Sequence, residues 1–245
     1  MRSPAYLLKL FARWATITLS ISFLLFVAAG TTRIPSLRNY LATFSAFLLA
    51  TMLAVDPGCA KERSRTFEEG RATGRFVAGL CFLATQALAA LDVGRLHWIR
   101  SVPSEARLGS LLLVGAASAL QMWAMIVNPF FSPDIRLQAE RGHRLITGGP
   151  YQGLRHPGYF AMLVSAPASA LAIGSWLSLV LAAAFCLVIL KRVDKEEKFL
   201  HANLAGYNDY MRQVRGRLFP RITVRYRSHR LSFAKKFELP TSGWS

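Results

Sequence analysis

The sequence predicts an all-α, multi-pass integral membrane protein with about six transmembrane helices. Hydrophobic residues make up 53% of its 245 residues and charged residues 18%, whereas charged residues are about 25% of an ordinary soluble domain. The apolar residues are also concentrated in long runs, which is typical of membrane-spanning segments. Six such runs occupy residues 14–30, 40–55, 76–91, 109–127, 159–173 and 175–190.

The runs are 15 to 19 residues long, near the lower limit for crossing a hydrocarbon core of about 30 Å at about 1.5 Å per residue. The first run exceeds the usual apolar region of a signal peptide, so we predict an uncleaved first span. Gly174 and Ser175 divide an apolar stretch of 32 residues (159–190), which is too long for one span. We therefore predict a tight helical hairpin there, and the alternative is one long kinked helix.

The distribution of basic residues predicts the orientation. With six spans both termini lie on the same side, and that side holds 25 of the 30 Lys and Arg residues. Because basic residues are retained in the cytoplasm, both termini are expected there. The membrane would be the inner membrane of a bacterium or the endoplasmic reticulum of a eukaryote.

The net charge of +17 favours anionic lipid headgroups as partners and not nucleic acid. The basic residues flank the spans, where attraction to anionic headgroups is worth about 1 kcal/mol each. Residues 212–236 interleave arginines with apolar residues, as in a segment that lies on a membrane surface. No metal site is predicted, because the three cysteines form no CxxC pair and the five histidines no HExxH motif.

Residues 128–159, between the fourth and fifth runs, form a segment longer than a connection requires. Such loops are usually functional or disordered, and nine large apolar or aromatic residues here argue against disorder. Gly148, Gly149 and Pro150 suit a tight turn that brings the backbone close to a ligand.

The start of the fifth run is a candidate anion site. Pro157 biases His156 away from helix and suits the first helical position. The free N–H groups of such a helix start attract a carboxylate or a phosphate. The alternative is a plain helix start with His156 as a solvated cap.

The end of the last run is rich in charge. Arg192 and Glu196 are four residues apart and share a helix face with Phe199. Such a segment is usually a solvated helix end. However, it emerges on the same side of the membrane as the long loop, where an arginine and carboxylates can hold a zwitterionic small molecule. No GxGxxG or Walker motif supports a Rossmann or P-loop site.

Four motifs, in this order, resemble the isoprenylcysteine carboxyl methyltransferase family, part of a wider group with the membrane phospholipid methyltransferases. They are His143-Arg144-Leu145-Ile146-Thr147-Gly148-Gly149-Pro150-Tyr151, Arg155-His156-Pro157-Gly158-Tyr159, Arg192-x-x-x-Glu196-Glu197-x-x-Leu200 and Tyr207-x-x-Tyr210. The resemblance covers residues 128–220. It departs from the family pattern in a spacing one residue short after Glu197 and in Ala205, where glycine is common.

The resemblance implies an integral membrane enzyme that uses S-adenosylmethionine without a Rossmann domain. Its cofactor site would be cytoplasmic and formed by the loop between spans four and five and by the end of the last span. The residues implied to bind the cofactor are His143, Arg144, Leu145, Ile146, Tyr151, His156, Pro157, Gly158, Tyr159 and Glu196. Arg192 is implied to be catalytic, facing a lipid-like or prenylated methyl acceptor.

The chemistry of these residue types is compatible with S-adenosylmethionine. The helix start at Pro157 suits the cofactor carboxylate, Glu196 suits its ammonium, and Tyr151 or Tyr159 suits its cationic sulfur. The guanidinium of Arg192 suits a carboxylate or a phosphate on the acceptor.

We expect three parts: N-terminal spans one to three (1–108), a methyltransferase core with spans four to six (109–220) and a basic, membrane-surface tail (221–245). Two other functions remain open. An NADPH-dependent sterol or steroid reductase has a similar RHPxY-like loop, but the Arg192/Glu196-Glu197 pattern favours the methyltransferase. A non-catalytic membrane scaffold is the third possibility.

Overall fold

All secondary structure in the described residues is helical, which confirms the predicted all-α class for this part of the chain. The structure is a computed structural model that describes residues 3–56, 58, 73–132 and 134–219, with the backbone alone for 73–75. The predicted surface tail (221–245) and most of the basic loop after the second run lie outside these residues. The α-helices are α1 (Pro4–Ala29), α2 (Pro35–Ala54), α3 (Thr73–Leu91), α4 (Ser104–Val127), α5 (Pro157–Ile173), α6 (Leu179–Asn203) and α7 (Tyr207–Gln213).

Four helical segments of the described chain are long and apolar enough to cross a membrane, namely Pro4–Ala29, Pro35–Ala54, Phe76–Leu96 and Ser104–Val127. The helix α5 is apolar but has only 17 residues. In α6, twelve apolar residues precede Lys191. The predicted count of about six spans is therefore not confirmed.

Local sequence explains where several helices begin and end. Proline, which lacks an N–H donor, is the first residue of α1, α2 and α5. Ser3 caps α1 by accepting a hydrogen bond from the Tyr6 N–H at 3.3 Å. Gly30 ends α1 in the left-handed conformation, at φ 72°.

The predicted helical hairpin is present, and one long kinked helix is excluded. Gly174 ends α5 at φ 121°, and α6 begins five residues later at Leu179. Buried Asp92, just after α3, accepts hydrogen bonds from the Ser175 hydroxyl at 2.6 Å and from the Trp98 N–H at 3.2 Å. This carboxylate therefore ties the end of α3 to the turn of the hairpin.

Small residues let α5 pack at the centre of the bundle, where it contacts α2, α3, α4 and α6. Its buried positions include Ala161, Ala166 and Ala170, and small side chains allow close approach between helices in a membrane. Pro167 cannot donate to the carbonyl of Leu163, one turn earlier. The Cys186 thiol of α6 donates to that oxygen at 3.8 Å.

A π-helical turn, Asp92–Leu96, joins α3 to the end of α1. Gly94 contacts the α1 backbone so closely that a Cβ there would lie 2.2 Å from the Ala29 oxygen. The Arg95 side chain donates to the carbonyls of Val27 and Ala28, both at 3.1 Å. These bonds add donors to the carbonyls of the last turn of α1, where the regular helical donors four residues later are missing.

Candidate functional site

A cavity of about 750 Å³ lies where the loop 128–156 meets α4, α5, α6 and α7, a volume typical of a small-molecule site. We call it the site cavity. All eleven residues predicted to bind the cofactor or the acceptor line it, and they are His143, Arg144, Leu145, Ile146, Tyr151, His156, Pro157, Gly158, Tyr159, Arg192 and Glu196. The structure thus brings the whole predicted set together, while their individual roles remain predictions.

The Tyr159 hydroxyl connects the two charged residues of α6 at the cavity wall. It donates to Glu196 Oε2 at 2.5 Å and accepts from Arg192 Nε at 2.9 Å. Burial raises the pKa of Glu196, while the tyrosine hydrogen bond and the charge of Arg192 act in the opposite direction. Arg192 and Glu196 therefore share a face, as the spacing predicted, but a residue of α5 links them.

His156 is buried beside this group. Its Nδ1 lies 4.0 Å from Glu196 Oε1, and its Nε2 lies 3.9 Å from Glu197 Oε1. Among the described residues, Nε2 has no hydrogen-bond partner. Its side chain does not cap α5, so the alternative of a solvated histidine cap is wrong.

Glu197, on the next position of α6, pairs with two arginines. Arg155 donates from Nε to Oε1 at 2.7 Å, and its Nη2 lies 2.7 Å from the same oxygen. Arg217 Nε lies 2.5 Å from Oε2, and the other end of Arg217 pairs with Asp194. One carboxylate thus joins the loop, α6 and the segment after α7. We call this group the Glu197 clasp.

The segment after α7 also pairs with the loop through its backbone. The Arg155 N–H donates to the Gly216 carbonyl at 2.8 Å, and the His156 N–H donates to the Arg217 carbonyl at 3.1 Å. Arg155 Nη1 donates to the Val214 carbonyl at 2.8 Å. Arg155 and His156, which line the cavity, are therefore held in place by a segment that lies 59 to 61 positions later in the chain.

The first part of the loop presents a flat surface to the site cavity. The rings of Phe130 and His143 are stacked, with centroids 4.6 Å apart. His143 Nδ1 accepts from the backbone N–H of fully buried Gln138 at 3.2 Å. Burial, followed by the charges of Arg136 and Arg141, lowers the pKa of His143 and so favours its neutral ring.

The GGPY motif forms the predicted tight turn. Gly149 has φ 56°, and a Cβ there would lie 2.9 Å from the Val127 side chain. Tyr151 is held at both ends, because its hydroxyl donates to the Ala124 carbonyl at 3.4 Å and its carbonyl accepts from the Tyr210 hydroxyl at 2.7 Å. Tyr210 of α7, which also lines the cavity, thus holds Tyr151 in place.

The start of α5 contributes backbone to the cavity wall, since both Pro157 and Gly158 are buried there. A Cβ on Gly158 would lie 2.7 Å from the ring of Phe131. Beyond Ala205, Gly206 has φ 79° and allows the turn into α7. The left-handed residue of this turn is therefore Gly206 and not residue 205, where glycine is common in the family that the motifs resemble.

The site cavity continues from these polar residues into an apolar part between α3, α5 and α6. That part is lined by Ala78, Gly79, Phe82, Met162, Phe185 and Ile189. Phe185 is seven residues before Arg192 on α6, a distance of about 10 Å along a helix. The cavity thus combines a charged end with an apolar extension.

Three functional candidates were not predicted from the sequence. Asp134 lines the cavity, and its Oδ2 is buried without a hydrogen-bond partner in the described part of the chain. Arg217 belongs to the Glu197 clasp, and Arg13 of α1 lines the cavity. None lies in a motif, so only a structure could associate them with the site.

Residues 110–202 match the model of the isoprenylcysteine carboxyl methyltransferase (ICMT) family. This match confirms the resemblance seen in the motifs, and the matched segment contains all eleven predicted site residues. Together with the four apolar helices, it indicates a membrane methyltransferase. A search among curated proteins finds no match.

Acidification should weaken the fold through His156. Burial, Arg155 and Arg217 lower its pKa from 6.5 to about 3. The unfolded chain therefore binds a proton at this histidine below about pH 6.5, whereas the folded chain does not. As a result, the free energy of unfolding decreases by up to about 1.4 kcal/mol for each unit that the pH falls. Thermal unfolding in detergent between about pH 7 and pH 5 measures the slope. His156→Gln should make the dependence of stability on pH less steep, and His201→Gln, at an exposed histidine, should leave it unchanged. Equal slopes in the unmodified protein and both variants would contradict the role of His156.

Glu197→Gln should lower the free energy of unfolding by about 3 kcal/mol, because it leaves the guanidinium of Arg155 buried without a carboxylate. The Glu197 and Arg155 side chains are only 14% and 10% exposed. The matched control is Asp209→Asn, which removes an exposed pair with Arg212 and should cost less than about 1 kcal/mol. Chemical unfolding in detergent gives both values, and a similar small loss in both variants would refute the importance of the clasp.

Proposed function

We propose that this protein is an S-adenosylmethionine-dependent methyltransferase that acts on a lipid-like acceptor with an anionic reacting group. The observation that supports the proposal is the single cavity with a charged end at Arg192, Tyr159 and Glu196 and an apolar extension between α3, α5 and α6. A polar cofactor and an apolar acceptor need these two environments side by side.

The residues of the charged end fit the chemistry of the cofactor. When bound, S-adenosylmethionine supplies a methyl group activated on a cationic sulfur. Asp134 Oδ2, which is buried without a hydrogen-bond partner among the described residues, and Glu196 offer carboxylate oxygens to an ammonium. The stacked Phe130 and His143 offer a flat surface to an adenine ring, and exposed Arg144 offers a cation to a carboxylate.

Arg192 is suited to binding the acceptor. Its Nε is used by Tyr159, and its terminal nitrogens have no acceptor among the described residues. These nitrogens would hold a carboxylate or phosphate of the acceptor in a forked arrangement. Arg192 would thereby hold the acceptor oxygen for the cofactor, which would supply the methyl group and would retain the electron pair of the broken carbon–sulfur bond on its sulfur.

The main contribution of the protein would be positioning. Tyr159 fixes Arg192 relative to Glu196, and the Glu197 clasp fixes the loop that carries His156. Holding two reactants in line can supply a large part of the rate enhancement. No covalent intermediate with the protein is needed for this transfer.

For the topology, we propose that α5 and α6 form the last two of six spans, with both termini in the cytoplasm. The excess of basic residues on one side supports this arrangement. The site cavity would then open to the cytoplasm for the cofactor and toward the bilayer for the acceptor. A reductase using NADPH is the competing function, and no observation on this chain favours it.

Glu196→Gln should abolish or strongly weaken the binding of S-adenosylmethionine, because the amide cannot neutralise a cation. Calorimetry on the detergent-purified protein measures the affinity, with NADPH titrated in parallel. The control is Glu105→Gln, at an exposed carboxylate in the first turn of α4, which should bind as the unmodified protein does. Binding of NADPH alone would overturn the proposed function.

Arg192→Ala should leave the affinity for S-adenosylmethionine within about threefold and lower methyl transfer at least about a hundredfold, because a positioned charge near the reacting group is lost. Transfer is followed as label moving from S-adenosylmethionine into a membrane lipid extract. Lys195→Ala, at an exposed lysine of the same helix, is the control. A variant that loses cofactor binding instead would show that Arg192 serves the cofactor.

A further inference from the structure

Part of the cavity wall comes from helices outside the segment that matches the family model. Arg13 of α1 and Ala78, Gly79 and Phe82 of α3 line the site cavity, whereas the match begins at residue 110. The N-terminal helices therefore influence which molecules the cavity accepts, in a way that the family match does not describe.

Arg13 is the unusual residue of this wall. It lies on a helix apolar enough to cross a membrane, and residues 14–29, which follow it on α1, contain no charge. Its side chain is exposed at the edge of the span, where an arginine attracts anionic groups of lipid-like molecules with about 1 kcal/mol. No carboxylate of the described residues pairs with Arg13. Lys9, one turn earlier on α1, does not line the cavity.

The cavity wall carries an excess of positive charge. Two of its five arginines, Arg136 and Arg155, pair with Glu140 and Glu197, which lie outside the wall. The other charged wall residues are Arg13, Arg144, Arg192, Asp134 and Glu196. Among described residues, this leaves three arginines facing two carboxylates.

Binding of the proposed cofactor increases this excess. S-adenosylmethionine has one carboxylate, one ammonium and one cationic sulfur, so its net charge is positive. The loaded cavity would then hold two more positive than negative charges. Because Arg13 and Arg144 are exposed, this excess acts by attracting anions to the cavity. An acceptor with one negative charge would leave half of the excess in place.

We propose that the acceptor is an amphiphile with two negatively charged groups, the reacting group beside Arg192 and a second carboxylate or phosphate bound by Arg13. This inference rests on the proposed function and names its substrate class. Arg13 is then a specificity-determining residue, and the apolar chain of the acceptor occupies the extension between α3, α5 and α6.

Matched probes test the second negative charge. The full chain in neutral maltoside detergent is titrated with N-lauroylaspartate and N-lauroylasparagine. These two probes have the same shape, but the first has two carboxylates and the second has one. N-lauroylphosphoserine and N-lauroylserine form the corresponding phosphate pair. Affinities are measured without cofactor and with saturating S-adenosylmethionine, for the unmodified protein and for Arg13→Gln, Arg13→Lys and Lys9→Gln.

The unmodified protein should bind at least one dianionic probe about tenfold more tightly than its monoanionic partner, as expected for one charge-assisted pair. Arg13→Gln should remove this preference without changing the affinity for the monoanionic probe or for S-adenosylmethionine. Arg13→Lys should keep part of it, and Lys9→Gln should keep all of it. The pair that shows the preference identifies the second group as carboxylate or phosphate.

A preference that is absent from the unmodified protein, or that survives Arg13→Gln, would overturn the inference. Weaker binding of S-adenosylmethionine by Arg13→Gln would also overturn it, because Arg13 would then serve the cofactor. Failure of the proposed function gives a different result, since the unmodified protein would not bind S-adenosylmethionine whatever the probes do.

Discussion

The arrangement of the site depends on one carboxylate that binds two guanidinium groups. Glu197 pairs with Arg155 from the long loop and with Arg217 from the segment after α7. Three parts of the chain that are distant in sequence therefore meet at a single side chain of α6. Since His156 follows Arg155 directly, this meeting also determines where the imidazole lies relative to Glu196. The cavity wall is thus fixed by electrostatics at its loop end and by the packing of small residues along α5.

Much of the fold follows from local sequence, and the exceptions have a physical reason. Pro157 predicted the start of α5 correctly, and Gly174 between two apolar runs predicted the hairpin. The six-span count is not confirmed. An apolar run in the sequence shows hydrophobicity but not the length of an apolar helix, and α6 continues past its twelve apolar residues into charged ones. The contact between Gly94 and Ala29 is invisible in sequence, since it depends on how two helices meet.

The same distinction applies to the site. The resemblance carried by the short motifs implied eleven site residues, and all eleven line the cavity. The links between segments could not be predicted. Tyr159 between Arg192 and Glu196 joins residues 33 and 37 positions apart, and Arg13 reaches the cavity only through the packing of α1. Asp134 lies in the long loop but outside its motifs, so its isolated carboxylate gave no signal.

If α5 and α6 span the membrane as proposed, the shortness of α5 has a consequence for the membrane around it. The 17 residues of α5 extend over about 26 Å, whereas the hydrocarbon core is about 30 Å thick. Where such a hairpin meets lipid, the bilayer thins locally or the hairpin tilts less than its longer neighbours. Thinning would bring the headgroup layer nearer to Arg192, so that a lipid-like molecule could reach the charged end without leaving its leaflet. Acyl-chain length in the host membrane would then act on this protein as a physical variable.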